Sequence, residues 1–251
     1  MPRLGKLYPA YEPKIRELPR RRAITEADLL KPSFRLEQDG PMEIFYAPMD
    51  WLRPQARVAV VGITPGKGTM RIAFQTARDG LIAGRSGNRV LDDVKAEASF
   101  SGFRVTLGGW LDWLGLPHHL GIRSSQELWD PKNRRLLHPT SAIRYPVLVR
   151  AGNYSGQSPM MTRHPTLRRY LFETLAPELE QIPHALVIPL GVRVGEALEM
   201  LIAEGYLDGA RCLVDFPHPS GANAHQHEQW PASRDALKRR MRTWFKAHPT
   251  A

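Results

Sequence analysis

The sequence predicts an α/β fold: a three-layer α/β/α domain with a central four-stranded parallel sheet. Three observations carry this. Residues 57–63 form a continuous β-branched run, the pattern of a strand buried on both faces. Strand-like and helix-like stretches alternate along the chain, as parallel sheets with crossover helices require. The composition, 42% hydrophobic and 24% charged, is that of a well-cored globular protein.

Residues 1–55 are Pro-rich and mixed in character, and read as an N-terminal extension packed on the core. They carry a short helix near 26–30 with Thr25 as its cap. After the first strand, helical patterns are expected at 69–83, 88–98 and 103–116, the last with Leu107, Trp110, Leu111 and Leu114 on one stripe. A second strand is expected at 140–144, ending at Tyr145-Pro146. Residues 153–159 read as a loop. An amphipathic stretch at 167–181 contains Pro177, which predicts a kink. A third strand at 185–190 precedes a helix at 192–204. A fourth strand at 211–216 precedes a closing helix at 232–245, with Leu237, Met241 and Trp244 inward. The α/β domain thus spans 56–251.

The net charge is +10, which favours a polyanionic partner, nucleic acid being the commonest. Basic residues cluster at Arg20-Arg21-Arg22, Arg134-Arg135, Arg168-Arg169 and Lys238-Arg239-Arg240. No apolar run approaches the ~20 residues that span a bilayer, and no apolar signal core follows the first residues. The single Cys212 excludes an internal disulfide and any Cys-rich metal or iron–sulfur site. The expected setting is the cytoplasm, at the nucleoid in a bacterium, as a monomer.

Two loops stand out. Gly62-Ile63-Thr64-Pro65-Gly66 ends the first strand, and His218-Pro219-Ser220-Gly221-Ala222-Asn223 follows the fourth. If both strands are parallel, the loops meet at the carboxyl edge of one sheet, where open α/β folds place their sites. Gly66-Lys67-Gly68-Thr69 invites a phosphate-loop reading, but the spacing fails: the residue five before Gly66 is Val61, and Gly68 follows Lys67. His225 and His227 lack acidic or Cys partners at ligand spacing, so no metal is expected.

Gly62-Ile63-Thr64-Pro65-Gly66 resembles the first motif of the uracil-DNA glycosylase superfamily, and His218-Pro219-Ser220-Gly221-Ala222-Asn223 its second. The loops are most similar to those of the single-strand-selective branch, which also places a Trp at the spacing of Trp230, and of the mismatch-specific branch. Residues 140–146 resemble the family's middle strand and 187–191 its third. The resemblance covers about residues 56–247. It implies a cofactor-free enzyme that hydrolyses the N-glycosidic bond of uracil or another damaged base in DNA, releasing the free nucleobase. His218 is then the donor to the base oxygen, and Thr64 stands where the most active branches carry Asp or Asn to handle water. Gly62, Ile63, Pro65, Gly66 and Ser141 line the base pocket. Asn153 is a candidate to replace the family's base-reading Asn at the Ser141 position, and Phe74 and Phe100 are candidate stacking aromatics. Pro219, Ser220, Gly221, Asn223 and Lys67 contact the DNA. Thr64 and Ser141 also leave open a weakly active or inactive nucleic-acid-binding protein with this fold. A nucleotide or phosphate-ester enzyme using residues 66–69 is the third reading.

Overall fold

The computed structural model describes residues 7–20 and 23–249. Arg21 and Arg22 of the first basic cluster lie outside the described residues. In chain order, α1 (Tyr8–Arg16), α2 (Glu26–Leu29), β1 (Arg35–Asp39) and β2 (Met42–Phe45) precede the first buried strand, β3 (Val58–Gly62). Then come α3 (Lys67–Ile82), α4 (Gly87–Ala98), α5 (Arg104–Leu114), α6 (Leu116–Leu120), β4 (Leu137–Ser141), β5 (Val147–Val149) and β6 (Gly152–Asn153). The chain continues through α7 (Pro165–Tyr170), α8 (Ala176–Glu180), β7 (Leu186–Pro189), α9 (Val192–Ala203) and α10 (Gln226–Ala247). None of the described helices is long and apolar enough to cross a membrane.

The protein is a mixed α/β structure with two sheets. The parallel sheet has three strands in the order β4-β3-β7, not the four expected. Residues 211–216 do come alongside β7, but only as an isolated parallel bridge between Val187 and Cys212. Leu213 N–H bonds the Val187 carbonyl at 2.9 Å. The next donor that β7 would turn toward this segment belongs to residue 189, a proline, which has no N–H to give. The ladder stops there, and the chain is caught again only where Gly191 N–H reaches Phe216 O. The second strand also starts earlier than expected, at Leu137, and leaves the ladder after Ser141.

The antiparallel sheet, β1-β2-β5-β6, has no counterpart in the sequence reading. Its strands are two to five residues long, too short for alternation to show. It joins the N-terminal residues to the domain, because β2 pairs with β5. Thr25 caps α2 as expected, in a reciprocal box with Asp28. The expected break near Pro177 is a π-turn at Leu171–Leu175, with Pro177 in the first turn of α8. Both faces of the parallel sheet carry helices. Ala59, Val61 and Val187 face a core with α1–α4 and α7–α9, while Val58, Val60, Leu186 and Ile188 face α5, α6 and α10.

Polar contacts at the edge strand β4 fix its position. Glu178 of α8 is only 4% exposed. One carboxylate oxygen meets His138 Nε2 at 2.7 Å and Lys95 Nζ at 3.5 Å; the other accepts from Thr140 Oγ1 at 3.1 Å and Arg144 Nη2 at 2.8 Å. Lys95 also donates to Pro139 O at 2.8 Å. Arg144, Lys95 and His138 around one carboxylate outweigh its burial and hold its pKa well below the usual range. Burial pushes the Lys95 ammonium down to about 8 and His138 down to about 4. His138 accepts from Arg53 N–H at Nδ1, so as a neutral ring it donates to Glu178 from Nε2.

Glu178→Gln leaves Lys95 and Arg144 buried against a neutral group. It should cost about 3–5 kcal/mol, read as a lower urea midpoint at constant m-value. Because folded His138 holds its proton less tightly than the unfolded chain does, stability should fall as pH drops from about 6.5 to about 4. His138→Gln should flatten that slope in pH-dependent denaturation.

Candidate functional site

A cavity of about 550 Å³ opens at the carboxyl edge of the parallel sheet. Its walls come from the loop after β3, the turn after α4, the end of β4, the β6 region and the loop before α10. It brings together Gly62, Ile63, Thr64, Pro65, Gly66, Phe100, Ser141, Asn153, His218 and Ser220. Phe74, Lys67, Pro219, Gly221 and Asn223 are not among its lining residues. No Asp, Glu, Lys or Arg side chain among the described residues lines it.

His218 is held on three sides. Its Nδ1 accepts the backbone N–H of Ser220 at 3.2 Å, which places the proton of the neutral ring on Nε2. Phe103 packs edge-on against the ring at 5.2 Å. Gly191, at φ +89°, lies so close that an added Cβ would meet His218 Cβ at 3.1 Å. Burial with no compensating charge lowers the His218 pKa below its ordinary value. The side chain is therefore a neutral Nε2–H donor without a protein partner.

The first loop is organised differently from the expectation. Thr64 Oγ1 donates to Tyr145 O at 2.7 Å and accepts from Val147 N–H at 3.1 Å. Its proton is committed, and it bolts the loop to the start of β5 rather than presenting a free hydroxyl. Gly62 is required by close approach: a Cβ there would lie 3.0 Å from Phe100 Cε1 and 3.6 Å from Ser141 Oγ. Asn153 Oδ1 accepts Lys67 N–H at 2.9 Å, capping α3 from a distant strand and leaving the amide Nδ2 without a partner.

Several expected contacts resolve into structural roles. Phe74 is fully buried, 4.8 Å edge-on from Phe34, because it lies on the inward stripe of α3 with Met70, Ala73 and Ala77. It is a core residue, not a stacking partner. Lys67 Nζ is paired with Glu26 at 2.9 Å. Pro219 is buried, so it offers no surface to a nucleic acid. Asn223 Nδ2 bonds His218 O at 3.0 Å and Gln229 Oε1 at 2.9 Å, tying the loop to α10. Ser220 and Gly221 remain at the rim, although Ser220 Oγ already accepts Ala222 N–H.

Sequence reasoning missed the turn that builds the opposite wall. Phe100 adopts φ +56°, a left-handed conformation costing a bulky residue about 1–2 kcal/mol. Arg104 secures the turn. Its guanidinium caps the α4 C-terminus through Ser99 O, Glu97 O and Ala96 O and stacks 4.0 Å from Trp129. Phe103 and Gly191 were likewise missed: Phe103 was read only as the start of a helix, and Gly191 only as the end of a strand. No cluster of three or more His, Cys, Asp or Glu side chains suited to a metal occurs among the described residues.

A long-range ¹H–¹⁵N spectrum should show His218 as the Nε2–H tautomer, titrating below 6.5. Gly191→Ala combines an unfavourable φ with the close approach to His218. It should cost about 1–3 kcal/mol and shift the His218 resonances.

No family model matches the chain. It is 38% identical over 225 residues to the uncharacterized protein YoxB of Bacillus subtilis (strain 168), an alignment covering 88% of this chain and 88% of that protein. At that identity and coverage, the chain belongs to the same family as YoxB.

Proposed function

We propose that this protein is a DNA base glycosylase, hydrolysing the N-glycosidic bond of uracil or another damaged base without a cofactor. The observation that carries the reading is His218: a half-buried, neutral, pre-oriented N–H donor on the wall of a cavity with no charged side chain among the described residues. Breaking a glycosidic bond leaves negative charge on the departing base. A fixed donor in a water-poor site stabilises that charge far better than water does. A base must first leave the stack to enter such a cavity, and Phe100 offers it an aromatic surface beside the glycine backbone of Gly62. The net charge of +10 suits a polyanionic DNA partner. Ser220 and Gly221 stand at the rim, where the strand would pass.

The water step has no general base. The cavity presents no carboxylate among the described residues, the Thr64 proton is bound to Tyr145 O, and His218 Nδ1 is occupied. Cleavage then proceeds by leaving-group stabilisation, with water captured afterwards. The rate should sit about 10²–10⁴-fold below that of an enzyme with a base. The same observation favours the second reading, a nucleic-acid-binding protein that does not cleave.

Oligonucleotides containing uracil, hypoxanthine, xanthine or mismatched thymine, treated with alkali after incubation, distinguish the two. Slow strand scission is expected on at least one. His218→Ala should lower it by about 10²–10³-fold while leaving salt-sensitive DNA binding intact. Binding with no scission on any substrate would establish the second reading.

A further inference from the structure

The cavity contains a polar residue that no motif pointed to. Ser99, the C-cap of α4, is 4% exposed, lines the cavity, and its Oγ has no hydrogen-bond partner. Ser141, 9% exposed at the end of β4, likewise has no hydrogen bond from its hydroxyl among the described residues. A buried hydroxyl is ordinarily satisfied, so the unpartnered one at Ser99 points to a group that arrives from outside, and the accessible Ser141 hydroxyl lies on the same cavity. The neighbouring hydroxyls are not equivalent: Thr64 is bound to Tyr145 and Thr140 donates to Glu178.

The remaining polar side chains constrain that group. His218 Nε2–H and Asn153 Nδ2 are fixed as donors, because Nδ1 and Oδ1 respectively are already taken. Two fixed donors require acceptor atoms on the ligand. A ring carrying oxo groups supplies them, but it also carries a ring N–H, which needs an acceptor. Asn153 Oδ1 keeps one lone pair but is turned to the Lys67 N–H, whereas the hydroxyls can rotate to accept it.

We propose that Ser99 is a specificity-determining residue, acting with Ser141 as an adjustable hydroxyl pair that takes the ring N–H of an oxo-bearing base. This rests on the glycosylase reading above. An amino-bearing base such as cytosine or adenine would set its N–H₂ against one of the fixed donors and leave that donor unpaired, a basis for rejection. Hydroxyls rotate, so the pair accommodates oxo bases of one ring or two. The turn geometry serves the same end: Arg104 holds the Ser99 carbonyl at 2.8 Å from Nε, fixing the backbone on which the hydroxyl is carried.

The test compares wild type, Ser99→Ala and Ser99→Thr on uracil, hypoxanthine and cytosine oligonucleotides. Thermal shifts with free uracil, hypoxanthine and cytosine are measured alongside. Ser99→Ala should lose about 10-fold or more in kcat/KM on both oxo bases, and most of the thermal shift they cause, while Ser99→Thr recovers most of each. The melting temperature of Ser99→Ala without ligand should equal or exceed that of wild type, because the hydroxyl satisfies nothing in the free protein. A purely structural role predicts the reverse. Active wild type with Ser99→Ala unchanged in base preference overturns this inference alone. Wild type that cleaves nothing but is stabilised by free oxo bases through Ser99 upholds the inference and removes the catalytic reading. Wild type that neither cleaves nor is stabilised by them overturns both.

Discussion

The carboxylate of Glu178 brings together parts of the chain that share no backbone pairing with α8. It takes Lys95 from α4, His138 and Thr140 from β4, and Arg144 from the segment beyond it. The need for such a centre follows from β4 itself. It is an edge strand with one ladder neighbour, and Pro139 lies within it. In a low-dielectric interior, an ion cluster tolerates only the arrangement in which every member is satisfied. Fixing β4 fixes Ser141 at its end. It also fixes Tyr145, whose carbonyl receives Thr64 and whose hydroxyl reaches Asp50 at 2.5 Å. The first loop therefore takes its position from a cluster that it does not touch.

This arrangement keeps charge beneath the cavity rather than in it. Thr140 lines the cavity and is also a ligand of Glu178, so a single side chain separates the charged cluster from the uncharged wall. His218 has no counter-ion in reach, and desolvation alone sets its protonation. The outcome is a pocket built from N–H donors, hydroxyls, glycine backbone and aromatic edges. No charged side chain lines it among the described residues.

Legibility in the sequence followed the range of the interactions. The runs at 57–63 and 185–190 were visible because a strand buried on both faces is rich in apolar residues, and α5 was visible through its stripe of Leu107, Trp110, Leu111 and Leu114. The two loops were visible because glycine and proline limit the backbone locally. The fourth strand failed for a reason also in the sequence, Pro189, but its consequence depends on which side of β7 the missing N–H faces. The β1-β2-β5-β6 sheet was hidden because two- to five-residue strands carry too little pattern. Phe74 and Phe100 illustrate the same limit. Both are aromatic residues, and only packing places one in the core and the other on the cavity wall.

From sequence alone, the alternation of elements, the basic charge, the single cysteine and the two loops at strand ends were determined, because each depends on composition or on neighbouring residues. The tertiary structure decided the state of the functional groups. It gave the His218 proton to Nε2, spent the Thr64 hydroxyl on Tyr145, turned Asn153 into a cap for α3, and left the Ser99 hydroxyl buried and unsatisfied. A hydrogen-bonding side chain has several possible partners in sequence. Which one it takes is settled only when distant segments are packed against each other.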